Sequence, residues 1–114
     1  MQIRKTYRDI MPDLLYNEVR DFVLKQGVII GESKIETSSL PTDSSSFVTR
    51  GSLTFRAPGK SGNTGEECIR VHILGSAKSE TKMMLDINEQ LFTQEKVAAL
   101  QVDLEFILGS YEVS

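Results

Sequence analysis

Phe47-Val48-Thr49-Arg50-Gly51-Ser52-Leu53-Thr54-Phe55 is the stretch that decides the fold. Apolar or small residues hold the odd positions, and polar or charged residues fill most of the even ones. Side chains of a strand alternate between two faces, so the stretch reads as a strand with one buried and one wet side. The same parity returns twice downstream. Ile69, Val71 and Ile73 enclose Arg70 and His72, and Met83, Leu85 and Ile87 enclose Met84 and Asp86. Three such strands in succession predict an antiparallel meander with one wet face.

Polar connections separate them, Ala57-Pro58-Gly59-Lys60-Ser61-Gly62-Asn63-Thr64-Gly65 and Gly75-Ser76-Ala77-Lys78-Ser79-Glu80. Centring each turn sets Leu53 opposite Ile69 and Gly51 opposite Val71. Across the second turn it sets Ile73 opposite Met83, Val71 opposite Leu85 and Ile69 opposite Ile87. A slip of one residue turns every apolar side chain to solvent, so the pattern itself selects the meander.

Upstream, Val28 to Thr37 reads as a less apolar strand at an edge, with Ile29 and Ile35 sharing a parity with Gly31 and Ser33. Ser38 to Ser46, interrupted by Leu40 and Pro41, reads as a mobile loop. Pro12 to Gln26 predicts an amphipathic helix with Leu15, Val19, Phe22, Val23 and Gln26 on one stripe. Pro12 suits its first position, Asp13 the positive end of its dipole, and Gly27 a left-handed stop. Past the meander, Val97, Leu100, Leu104, Ile107, Leu108 and Tyr111 form a second stripe, with Thr93 as N-cap and Gly109 as stop. Val102 and Phe106 fall off that stripe, and residues 102–106 also alternate like a strand. The Ala, Gln, Glu and Leu content favours helix. Residues 1–9 supply either a short edge strand through Ile3 and Tyr7 or a frayed end. The predicted fold is α+β, one domain over residues 1–114. It is a two-layer sandwich in the order α-β-β-β-β-α, its four-stranded antiparallel meander covered on one face by an N-terminal and a C-terminal helix.

Composition narrows function by exclusion. The 114 residues are 39% hydrophobic and 25% charged, values that suit a soluble globular chain. A net charge of −3 gives no overall positive field, which disfavours nucleic acid and anionic membrane as partners. The longest apolar runs are too short to span a bilayer, and the N-terminus lacks the apolar core of a signal peptide. Cys68 is the sole cysteine, so no intrachain disulfide and no thiolate zinc cluster is expected, and a cytoplasmic setting follows. No Asp, Glu and His spacing resembles a metal site, and no cofactor is expected. Gly59-Lys60-Ser61 is not a phosphate-binding loop. The full motif needs glycine where Thr54 stands and a helix where 68–74 reads as a strand.

The wet side carries Arg50, Ser52, Thr54 and Arg56, then Cys68, Arg70 and His72, then Met84, Asp86 and Asn88. Centred turns place Arg70 opposite Asp86 and Arg50 opposite His72. At its blandest this is a solvated surface whose charge pairs each contribute less than about 1 kcal/mol. At its sharpest it is a binding face. Arg50, Arg56, Arg70 and loop residue Lys60 would donate to a carboxylate or phosphate, with His72 and Asp86 beside them. No catalytic set is expected, because Cys68 and His72 lie about 13 Å apart along one strand. The expected function is a non-enzymatic accessory module presenting this face, its edge strand and its Gly/Ser-rich loops to another protein or a second copy of itself. The alternative is a small-ligand binder, or an enzyme derived from one. Its cavity would lie between helices and sheet where Gly31, Ser33, Thr49 and Gly51 leave space.

Overall fold

The computed structural model describes residues 1–40, 43–59, 64–76 and 80–113. Its elements are β1 (Gln2–Tyr7), α1 (Pro12–Leu24), β2 (Ile29–Leu40), β3 (Asp43–Pro58), β4 (Thr64–Ser76), β5 (Thr81–Ile87) and α2 (Gln94–Leu108), the last running into a 3₁₀ turn at Gly109–Tyr111. The chain is α+β, with a five-stranded antiparallel sheet in the order β1-β5-β4-β3-β2 and two helices. No helix among the described residues is long and apolar enough to cross a membrane.

The sheet has five strands where the predicted meander has four, because residues 2–7 take the edge-strand alternative and join it beside β5. Ile3 lies opposite Leu85 and Tyr7 opposite Thr81, and both are buried. The Met1 ammonium donates to the Ile87 carbonyl at 3.0 Å while the Ile87 N–H donates to the Met1 carbonyl at 2.8 Å, so the first residue is tied down too.

Parity organises the core. One inward row runs Ile3–Leu85–Val71–Leu53–Ser33, and the next runs Lys5–Met83–Ile73–Gly51–Ile35. The apolar members from β1, β5, β4 and β3 join one cluster with Leu15, Tyr16, Val19 and Val23 of α1 and Val97, Leu100, Leu104 and Leu108 of α2. Local chemistry sets the helix ends. Pro12 opens α1, and Gly27 adopts the left-handed φ of +89° expected of a stop. Thr93 caps α2 by accepting from the Lys96 N–H at 3.4 Å. Gly109 does not reverse the chain; its φ is −58°, and the helix tightens into the 3₁₀ turn instead.

The β4–β5 register is the one that centred turns predict, with Ile69, Val71 and Ile73 opposite Ile87, Leu85 and Met83. The β3–β4 register is not. Leu53 faces Val71 and Gly51 faces Ile73, two residues from expectation. The centred register holds at the loop mouth, where Pro58 faces Thr64. Two one-residue shifts in β4 then intervene, between Pro58 and Arg56 and between Arg56 and Phe55. A single bulge would have inverted the faces, whereas two restore parity. Cys68 sits at the second bulge, and so leaves the wet side to which its number assigns it and is buried.

β2 carries a bulge of its own opposite Thr54, whose hydroxyl accepts from the Glu32 N–H at 2.7 Å. A side chain at Gly31 would stand 2.8 Å from that hydroxyl, so the bulge needs glycine. The bulge also sets Ile30, not Ile29, opposite inward-facing Phe55. Most of the polar run expected to be a loop lies within strands: residues 38–40 belong to β2 and 43–46 to β3, although the register shifts between Ser39 and Leu40 and leaves residues 44–46 without ladder partners among the described residues. Composition misleads here because the hairpin outruns the helices. The 13 residues of α1 cover about 20 Å, whereas the 16 of β3 extend roughly 54 Å. Strand that runs beyond helix cover has less apolar surface to bury and accepts Ser and Thr. Phe47, expected inside, is 49% exposed, and buried Thr49 satisfies its hydroxyl with that of Thr37 at 3.0 Å.

Candidate functional site

The even-numbered face is uncovered by either helix. Its central rows cross all five strands, one running Arg4–Met84–His72–Ser52–Lys34 and the next Thr6–Lys82–Leu74–Arg50–Glu36. A third adds Gln2–Asp86–Arg70–Thr54. With strands about 4.8 Å apart, each five-strand row is roughly 19 Å across. The two central rows carry four permanent cations and one carboxylate, Glu36, which Lys34 engages at 3.2 Å. Arg4, Arg50 and Lys82 have no ion pair among the described residues. A chain of net charge −3 has thus gathered a cationic strip on the one sheet face that its helices leave bare.

The residues singled out from sequence divide into three groups. Arg50 and His72 share a shallow depression of about 360 Å³ with Lys34, Glu36 and Leu74, although the double shift in β4 sets Ser52, not Arg50, opposite His72. Arg70 and Asp86 are opposite each other as expected and line a second depression of about 430 Å³. The Arg70 guanidinium donates to Glu67 at 3.0 Å, and that hydrogen bond with the Glu67 charge holds it still more firmly protonated. Arg56 is spent locally, donating to the Gly65 carbonyl at 3.2 Å. Lys60 lies outside the described residues. Patterning missed Arg4, Lys34 and Lys82. Arg4 lies between inward Ile3 and Tyr7 in parity, the one signal that could have found it.

His72 stands opposite Ser52 with no hydrogen bond between them and no carboxylate set against the imidazole among the described residues, so the pair lacks an orienting third group. The Cys68 thiol is pushed up by burial, which keeps it protonated and weakly nucleophilic at neutral pH.

Space between helices and sheet is not where the small inward residues suggested. The Tyr16 ring lies against Gly51, its hydroxyl 2.7 Å from the Ser33 hydroxyl, and fills that region. Among the described residues a groove of about 660 Å³ opens between β1 and α2, floored by Tyr7 and Leu104 and rimmed by Val102 and Phe106. Burial pushes the Tyr7 phenol well above its ordinary range, with the Glu112 and Glu105 carboxylates adding to the effect. The linkage sign follows. The folded state keeps this proton after the unfolded chain loses it, so stability is intact below about pH 10 and falls as pH rises past that value. Tyr7→Phe should resist alkali better than wild type. Thermal midpoints at pH 8 and 11 should diverge by the equivalent of roughly 1 kcal/mol, whereas parallel declines would dismiss the effect.

No protein-family model matches the chain, and neither a curated protein nor a solved structure matches it.

Proposed function

We propose that the chain is a protein-binding module whose bare sheet face receives an acidic patch on its partner. The observation that carries this is the trio Arg4, Arg50 and Lys82, without an ion pair among the described residues, on adjoining rows of an otherwise acidic chain. Half-exposed Leu74 and neighbouring Met84 supply an apolar centre, and charges surround it, which is the anatomy of a protein interface. Among the described residues the face carries no Phe, Tyr or Trp, leaving His72 as its single ring for base stacking, and Glu36, Glu67 and Asp86 would repel a phosphate backbone. An acidic protein surface fits better than nucleic acid. A patch this size is smaller than the roughly 800 Å² a side of a stable complex, so contact is transient and salt-sensitive. β2 lies at the sheet's edge and gives a second route, strand addition by the partner or by another copy.

An NMR titration with an Asp/Glu-rich peptide tests this. Amides of Arg4, Arg50, His72 and Lys82 should shift, and binding should weaken as salt rises. The double reversal Arg50→Glu/Lys82→Glu should reduce affinity at least about tenfold, while stability changes by less than about 1 kcal/mol. Shifts that survive the reversal, or tighter binding of a single-stranded oligonucleotide of equal charge, would refute the proposal.

A further inference from the structure

A different feature, independent of the sheet face, carries a second site. The groove between β1 and α2 has an apolar rim left exposed by the described residues. Val102 is 66% exposed and Phe106 85%, one helical turn apart, with Ala98 in line behind them. Leu104 and Tyr7, both nearly fully buried, form its floor. Tyr7 is only 1% exposed, yet its hydroxyl has no hydrogen-bond partner among the described residues. No fully buried side-chain oxygen among the described residues lacks a partner, so this hydroxyl keeps some access to solvent, and Tyr7 lines the groove. A buried phenol that reaches an apolar cleft with its hydrogen-bonding capacity unused is built to receive a polar atom.

Charge tells which kind. Three charged groups line the groove. The Lys5 ammonium is committed to Glu112 at 2.7 Å, which leaves Glu105 as a carboxylate with no ion pair among the described residues. Its carboxylate packs beside Gly109 at the α2 end of the groove, 3.5 Å from where a β-carbon would stand. The site therefore has one unmatched negative charge, an unused hydroxyl and an apolar wall. We propose that this groove binds a small molecule with an apolar body and a primary ammonium head. The ammonium donates to Glu105 and to the Tyr7 hydroxyl oxygen, and the body lies against Val102 and Phe106. A volume of about 660 Å³ is within the ordinary range for small-ligand clefts.

Tryptamine and indole-3-propionate, which present the same ring on heads of opposite charge, make the test. Titrating each into the full chain by NMR should give one-to-one binding of tryptamine, with shifts at Lys5, Tyr7, Val102 and Phe106, and at least about tenfold weaker binding of the carboxylate. Glu105→Gln and Tyr7→Phe should each weaken tryptamine several-fold, and exposed Phe106→Ala should do so without disturbing the fold. Equal binding of the two heads, no shifts up to saturating tryptamine, or shifts elsewhere on the protein would overturn the proposal. So would concentration-dependent self-association that Phe106→Ala abolishes, since that result would assign the groove to a second copy of the chain.

Discussion

Val71→Asp is expected to abolish cooperative folding at neutral pH, whereas His72→Asp, its immediate neighbour, should change stability by no more than about 0.5 kcal/mol. Val71 is fully buried on the central strand between Leu53 and Leu85. Removing its side chain forfeits about 1.5–3 kcal/mol of burial, and an unpaired carboxylate in its place adds a desolvation penalty of several kcal/mol. Together these approach the whole stability of a domain this size, roughly 5–15 kcal/mol. His72 faces the bare side between Ser52 and Met84, where an aspartate remains hydrated. Circular dichroism with thermal melts distinguishes the two. Comparable losses at both positions would mean that the faces are not divided as described.

Gly51→Val should cost about 3 kcal/mol and lower the melting midpoint by roughly 15 °C. A β-carbon at Gly51 would stand 2.5 Å from Cδ2 of Tyr16 and 3.0 Å from Cε2. The ring cannot easily swing aside, because its hydroxyl is held 2.7 Å from the Ser33 hydroxyl and donates to the Ser52 carbonyl at 3.4 Å. Valine normally favours strands, so a loss here reports the clash and not backbone propensity. Tyr16→Ala alone should cost roughly 3–5 kcal/mol. In the double variant Gly51→Val/Tyr16→Ala the valine should cost almost nothing further, since the ring it collides with is gone. Strict additivity would show that the two residues do not touch.

These substitutions separate what could be read from the chain from what could not. Parity is readable because burial on one face imposes a period of two, and the β4–β5 register is readable because no bulge interrupts it. The β3–β4 register escaped because its two shifts in β4 cancel in parity, leaving the hydrophobic pattern unaltered. Burial of Cys68 escaped for the same reason. For residues 1–9 the edge strand through Ile3 and Tyr7 stayed one of two readings because its support is long-range: those residues gain meaning only opposite Leu85 and Thr81, some eighty residues on. The Ser-rich run looks like a loop wherever polarity is taken to mean irregular backbone, and an uncovered hairpin breaks that rule.

For the candidate face, alternation alone put Arg50, Arg70, His72 and Asp86 on one side, and only the bulges rearranged their partners. The groove left its trace as an inconsistency. Val102 and Phe106 fell off the α2 stripe and made the segment resemble a strand. Both belong to a helix and rim the opening beside β1. Apolar residues that spoil a helical pattern deserve to be read as a second surface.

The proposed partner-binding function depends on the even-numbered side of the sheet being open to solvent. Single cysteines placed in turn at positions 69 to 74, in a Cys68→Ala background, measure this directly through their rates of alkylation under native conditions. The arrangement described predicts fast labelling at 70, 72 and 74 and strong protection at 69, 71 and 73. Protection at 70, 72 and 74, or uniform labelling along the strand, would contradict it.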